Sequence, residues 1–471
     1  MLTKLRYIIF SLIAFSLNSC AVDVAVVGCG YVGLTTAAIF ANNGHTVKCI
    51  DIDKNKIHNL QSQIVPIYEP FLQEYIFDSV ASKNIFFSSD LTEILNASVI
   101  YICVPTPIGS EGYCDLQYLY AAFKDIITLC KSDQKIICIK STVPPGTMKS
   151  LKEYISKDTE SNIRLIYNPE FMREGSAFKD ICNNPLVLGA ESHSHGKVIK
   201  DMYKTFMDEN AHIIETNFET AEIIKYAWNS FSGIRIAYVN ELAILCRLFD
   251  ADIFEVVKGI ALSEDLLPTH AIRPGPGFGG SCLPKDLSAF SKIFEKNGFT
   301  SSMINQAIIS NKNRIQKLIQ DILEIIENNG IETITLLGLS FKPNTSDIRK
   351  SPAIDIISVL VEKGIKIQAY DPKAMESMKE LFSSVNYYET PYDASYKTDC
   401  ILLLTEWKEF KELDLRKISL LCNKKIIIDT RSIFDLNSAC GYGFDYMTKN
   451  YKDVSNIELL KKHGFNYLYL N

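Results

Sequence analysis

A thiol that does chemistry needs an open, polar setting. The loop Arg273-Pro274-Gly275-Pro276-Gly277-Phe278-Gly279-Gly280-Ser281-Cys282 offers one. Most cysteines fill cores, but Cys282 follows two glycines, which let a substrate approach the backbone, and precedes Lys285 and Asp286. Its expected chemistry is that of a nucleophilic thiolate. Lys225 and Asn229 stand four residues apart, so on a helix they share a face and reach one oxygen. On an ordinary helix such a pair is solvated; here it interrupts a strongly apolar segment, as a cleft wall would. A second constellation is Gly28-Cys29-Gly30-Tyr31-Val32-Gly33, a G-x-G-x-x-G turn after an apolar strand pattern. Gly28 permits the tight turn, Gly30 lets the backbone meet a pyrophosphate, and Gly33 allows a helix to pack on a strand. The helix start then presents free N–H groups and a positive dipole end. Asp51, at the end of the next strand, can accept both ribose hydroxyls and repels a 2′-phosphate, so the expected dinucleotide is NAD.

Those residues require a particular set of elements. Asp23–Val27, Thr46–Ile50, Val99–Val104 and Lys135–Ile139 read as short buried strands. Helical stretches alternate with them, the first from Leu34 to Asn43 with Gly44 as its stop. Lys140 to Gly146 and Asn168-Pro169-Glu170-Phe171 follow strand patterns, where parallel strands turn residues towards a ligand crevice. Phe218 to Phe249 keeps apolar residues at helical spacing, and Ile304 to Glu327 forms a second helical stretch. From Glu332 the first design repeats: strand Thr333–Leu337, Gly338, helix Pro352–Lys363, and strand Ile365–Tyr370 ending in Asp371. The expected class is α/β, with two Rossmann-like doubly wound domains joined by a long central helix and a helical middle domain. Residues 1–21 read as an apolar appendage, 22–215 as the NAD domain, 216–328 as the helical middle, and 329–471 as a second nucleotide domain.

Composition removes several classes. Of 471 residues, 47% are hydrophobic and 22% charged, which is ordinary globular usage. A net charge of −6 gives no basic excess, so nucleic acid is not an expected partner. Thirteen scattered cysteines form neither a disulfide framework nor a zinc pattern. His193 and His195, with no nearby cysteine, do not make a metal site, and no metal is expected. Lys4 and Arg6 before the apolar run Tyr7–Leu17, then Asn18, Ser19 and Cys20, look like a leader. That run is too short to span a bilayer comfortably, and a clean strand–helix unit starts at Val22. Membrane association is therefore not expected, and the expected compartment is the cytoplasm.

Taken together, GCGYVGL, KSTVPPGT, NPEFMREG, the Lys225…Asn229 helix, PGPGFGGSCLPKD and FKPNTSDIRKSP resemble the UDP-glucose/GDP-mannose dehydrogenase family. Order and spacing agree over nearly the whole chain beyond residue 20. The resemblance implies a four-electron oxidation of a nucleotide sugar, alcohol to carboxylate, with two NAD reduced in turn. UDP-glucose is the favoured substrate; GDP-mannose or a UDP-N-acetylated hexosamine is the alternative. Cys282 would trap the aldehyde as a thiohemiacetal and carry the later thioester, while Lys225 stabilises the oxyanion. Asn229 and Asp286 match partners that position water and move protons, and Glu170 and Thr142 match residues beside the hydrolytic water. Gly28, Gly30, Tyr31, Val32, Gly33, Asp51, Lys56, Thr106, Thr142, Glu174, Lys285 and Arg349 would contact NAD. Glu170, Phe171, Arg173, Lys225, Asn229, Arg273, Gly279, Phe341 and Lys342 would lie along the nucleotide sugar. One departure is Leu266, where the UDP-glucose branch usually has an arginine sixteen residues before the nucleophile. A homodimer or larger homo-oligomer is expected from the long apolar helix. A catalytically idle nucleotide-binding regulator is the rival class; it would show a broken site, yet Cys282, Lys225, Asn229 and Asp286 are all present.

Overall fold

Strands covered on both faces must be apolar along their whole length, and Val99–Ile102 and Ile136–Ile139 are buried at every position. The computed structural model describes residues 21–130, 134–157, 162–192, 194–261, 274–434 and 445–448. The leader-like segment, His193, Leu266 and Arg273 lie outside the described residues. The chain divides into two compact units, Met1–Ala227 and Trp228–Asn471, with the boundary inside the helix Phe218–Leu248.

The first unit holds an eight-stranded sheet: β1 (Asp23–Val27), β2 (Thr46–Ile50), β3 (Ile85–Ser88), β4 (Val99–Ile102), β5 (Ile136–Ile139), β6 (Arg164–Tyr167), β7 (Leu186–Ala190) and β8 (Ile213–Thr216). Their order is β3-β2-β1-β4-β5-β6-β7-β8, parallel except for the β6–β7 pair. Side chains alternate between two cores. Val24 and Val26 join Leu34, Phe40 and Tyr101 on one face, and Ala25 and Val27 join Ile100, Ile102 and Phe123 on the other. The order reverses between β1 and β4, where a doubly wound sheet opens its ligand crevice.

The first helix begins at Tyr31, three residues earlier than the apolar pattern predicts. Gly33 obscures the start, because it looks like a turn residue but lies in the first helical turn. A Cβ there would sit 1.8 Å from the Gly28 carbonyl oxygen, so helix and strand meet as closely as expected. Strand ends also differ slightly: β4 stops at Ile102, and β5 starts at Ile136. Lys135 stays outside β5 and donates its ammonium to the carbonyls of Leu95 and Ala97.

The second unit carries a six-stranded, all-parallel sheet: β9 (Thr333–Leu337), β10 (Lys366–Tyr370), β11 (Asn386–Tyr387), β12 (Cys400–Leu403), β13 (Ile426–Asp429) and β14 (Asp445–Thr448). The order β11-β10-β9-β12-β13-β14 repeats the reversal of the first sheet. Ile334 and Leu336 of β9 pack with Leu318, Ile322, Ile325 and Ile326 from the helix Ser302–Asn329. The helix Pro352–Glu362 starts with Ser351 as its cap and proline in its first turn, the combination that begins a helix cleanly. It starts fourteen residues after Gly338, whereas the first helix starts three after Gly28. The second half therefore has a long loop where the first has a phosphate-sized turn.

Candidate active site

Gly28 has φ +101°, and a Cβ on it would meet the Cys103 carbonyl oxygen at 2.8 Å, so only glycine fits. The turn is held from below by Asp51, which accepts the N–H of Cys29 at 2.8 Å and of Asp53 at 3.0 Å. Lys56 reaches the same carboxylate at 2.8 Å, so two predicted NAD residues come together at the end of β2. Gly30 precedes the helix Tyr31–Asn42 in an extended conformation, and no side chain caps that helix. Its first-turn N–H groups, including those of Tyr31 and Val32, point out of the helix end as donors for an anion. Thr106 and Thr142 are buried in the loops after β4 and β5. Replacing Asp51 by alanine should raise KM for NAD more than it lowers kcat, and NAD should outperform NADP by a wide margin in the parent protein. Equal turnover with both coenzymes would show that Asp51 does not face the ribose.

Lys225 and Glu170 form a buried pair in the first unit. The Lys225 ammonium donates to Glu170 Oε1 at 3.0 Å and to the Glu170 backbone carbonyl, with side chains only 3% and 7% exposed. It also lies 5.2 Å from the centre of the Phe171 ring. Glu170 keeps its turn by accepting the Met172 N–H at 2.7 Å. A second buried lysine, Lys140, donates to Asn168 Oδ1 and to the Tyr203 hydroxyl, tying the KSTVPPGT and NPEFMREG stretches together. A cation, a carboxylate and an aromatic face thus share one spot at the carboxyl ends of β5 and β6. That arrangement can stabilise an oxyanion and direct a water.

The second unit holds the thiol. Cys282 caps the helix Leu283–Lys296, whose positive end favours an anion at that point, and it alone among the described cysteines is exposed. Burial pushes Cys103 up to about 12 and Cys182 up to about 11. Such thiols are packing groups. Asp286, one turn into the Cys282 helix, is 1% exposed, accepts Asn229 Nδ2 at 2.6 Å and pairs with Lys285. Lys285, expected at NAD, therefore has its ammonium on Asp286. Arg349, also expected at NAD, forks onto Asp347.

The glycines beside the thiol are required by a close contact within the chain. A Cβ on Gly279 would lie 2.2 Å from the Lys350 carbonyl oxygen, and one on Gly280 would lie 2.8 Å from the Phe341 ring. Part of the FKPNTSDIRKSP loop makes this close approach, with the Gly280 N–H bound to the Arg349 carbonyl. Phe341 is thereby fixed against the Cys282 loop, and the Lys342 ammonium lies 5.4 Å from its ring centre.

Asp371 ends β10 as Asp51 ends β2, but its surroundings differ. It is fully buried and accepts from the N–H groups of Leu339, Ser340, Lys373 and Ala374, from Ser340 Oγ and from Trp407 Nε1. Six donors leave nothing for a ribose.

Several site residues escaped the sequence patterns. Arg431 reaches the carbonyl of Leu404 and the carboxylate of Glu406. Asp180 takes the N–H, Nε and Nη2 of Arg173, whose side chain, expected at the sugar, is otherwise exposed. Glu222 is fully buried and accepts the N–H groups of Gly146 and Met148, both at 2.7 Å, anchoring the loop that holds Thr142. An acid three residues before Lys225 on an apolar helix was the available signal. Burial raises the Glu222 carboxyl to about 7, outweighing those two hydrogen bonds. The folded state thus holds this proton more tightly than the unfolded chain does. Its contribution to stability is complete below the ordinary glutamate range and is lost as pH rises through about 7. Denaturant midpoints should fall between pH 5 and pH 8, and Glu222→Gln should flatten that slope; an unchanged slope would place the titration elsewhere.

Among the described residues no group of three or more His, Cys, Asp or Glu could hold a metal ion. None of the helices searched is long and apolar enough to cross a membrane.

Comparison with known proteins agrees with this geometry. Sequence profiles of the UDP-glucose/GDP-mannose dehydrogenase family match in three blocks: the NAD binding domain over residues 22–207, the central domain over 219–313 and the UDP binding domain over 335–436. The UDP-glucose 6-dehydrogenase of Bacillus subtilis is 38% identical over 428 residues, covering 90% of this chain and 92% of that protein. A UDP-glucose dehydrogenase structure from Pyrobaculum islandicum superposes with a TM-score of 0.82 at 28% identity, covering 92% of this chain and 99% of the other. A UDP-D-ManNAc dehydrogenase structure from Pyrococcus horikoshii gives 0.78 at 25% identity, covering 91% and 99%.

Proposed function

This chain belongs to the UDP-glucose/GDP-mannose dehydrogenase family, and from that premise we propose that it oxidises UDP-glucose to UDP-glucuronate, using two NAD and one water. The observation that carries the proposal is the exposed Cys282 at a helix N-terminus, one turn from the buried Asp286, which Asn229 and the half-buried Lys285 hold. The Gly28–Gly33 turn and Asp51 would hold NAD, which when bound would supply the hydride acceptor for each oxidation. Cys282 adds to the aldehyde left by the first oxidation, and the hemiacetal carbon becomes a thioester carbonyl in the second. Lys225 holds the developing oxygen charge, and the Glu170 carboxylate beside it orients the water that cleaves the thioester. Asp286 moves the proton, with Asn229 fixing its carboxylate.

The same reading divides the chain into 22–215, 216–328 and 329–471, supported by the three profile matches. It makes the enzyme a cytoplasmic homodimer through the helix Phe218–Leu248, where Trp228, Phe231, Tyr238 and Leu245 are exposed large hydrophobics. UDP-glucose is favoured by the likeness to UDP-glucose 6-dehydrogenases. Incubation with UDP-glucose and excess NAD should yield two NADH per sugar consumed. Faster oxidation of GDP-mannose or of UDP-N-acetylmannosamine would move the assignment to that substrate.

A further inference from the structure

A buried carboxylate must be satisfied by donors, and Glu69, 4% exposed, draws its donors from two different loops. Its Oε2 accepts the Tyr31 hydroxyl and the Gly175 N–H, and its Oε1 accepts the Ala177 N–H at 2.8 Å. Tyr31 belongs to the pyrophosphate turn. Gly175 belongs to the loop after β6, which turns through it at φ +80°, and Ala177 opens the helix Ala177–Asn183 that follows. The Tyr31 hydroxyl also lies 3.5 Å from the Arg173 carbonyl, and burial beside Glu69 holds its proton on well beyond the ordinary tyrosine range. That loop starts at Asn168, carries Glu170, the partner of Lys225, and runs through Glu174. Asp180 grips it from the other side through Arg173.

We propose that Glu69 is a positioning residue for NAD: it knots the 173–177 loop to the pyrophosphate turn, so that coenzyme affinity depends on a carboxylate outside the coenzyme site. Removing the Tyr31 hydroxyl leaves every backbone donor of the turn in place and cuts one strand of the knot. Glu69→Gln keeps the volume but cannot accept from all three donors at once. The proposal rests on the functional reading above only in placing NAD at this turn.

The test is calorimetric NAD binding to full-length protein at low temperature, with no sugar nucleotide present. Tyr31→Phe should weaken NAD binding about five- to tenfold, in line with the net value of one hydrogen bond. Glu69→Gln should weaken it further, and the double variant should be no worse than Glu69→Gln alone, because Tyr31 acts through Glu69. Ile76→Val, a fully buried core change in the same unit, should lower the melting temperature while leaving the NAD Kd within twofold. An NAD Kd for Tyr31→Phe within twofold of the parent overturns the proposal; if Glu69→Gln does not fold, that variant decides alone. A parent protein that binds NAD yet oxidises no UDP-glucose would sink the substrate assignment and leave this measurement intact.

Discussion

Cys282→Ala should lose steady turnover of UDP-glucose by several orders of magnitude while still binding both UDP-glucose and NAD. The loss would follow from removing the proposed covalent nucleophile, since no other described thiol is exposed to take its place. Cys282→Ser should fail later in the cycle. A serine hydroxyl is a poor nucleophile at neutral pH, and an ester hydrolyses less readily than a thioester. That variant should therefore accumulate an ester-linked sugar, read as a mass increase on the intact protein, with turnover nearly abolished. Cys138→Ala, at a fully buried position whose thiol burial pushes up, should keep its turnover number within a few-fold of the parent. Acid formation by Cys282→Ala at the parent rate would eliminate the covalent route.

The second large effect is at Lys225. Lys225→Met removes the cation expected to meet the oxyanion, and kcat should fall by about 10²–10³. It also strands Glu170 in a buried place, and breaking such a pair costs about 3–5 kcal/mol. Adding Glu170→Gln should restore much of the lost stability without restoring the rate. The two readouts separate what the pair does for folding from what the ammonium does for chemistry. Recovery of both together would mean that Lys225 serves the fold alone.

How much of this was legible beforehand depended on the range of the contact involved. The turn at Gly28 and the acid at Asp51 sit one strand–helix–strand unit apart, so spacing alone placed them. The helix start at Tyr31 was hidden because a glycine inside a helix carries the same letter as a glycine in a turn. Gly279 and Gly280 read as room for substrate, yet their neighbours Phe341 and Lys350 lie some sixty to seventy residues further on, beyond any local pattern. Glu69 and Glu222 escaped for another reason. Both hold backbone N–H groups, and a backbone donor has no signature in the choice of side chains. Asp371 was visible as an echo of Asp51, but only tertiary structure shows its lone pairs already spent.

The fate of Asp371 bears on the order of events during catalysis. Its six donors close Asp371 to a ribose, so among the described residues it is no counterpart of Asp51 as a dinucleotide anchor. The proposed reaction consumes two coenzymes, and in that reading they take turns at the Gly28–Gly33 turn. Between the two oxidations the spent molecule has to depart and a fresh one arrive, while a half-oxidised sugar waits. A thiol tether turns that waiting period from a hazard into a pause: the traffic of coenzyme can be slow without a free aldehyde leaking into solution. Turnover should then be paced by coenzyme exchange as much as by bond-making, and excess reduced coenzyme should stall the enzyme with sugar still attached.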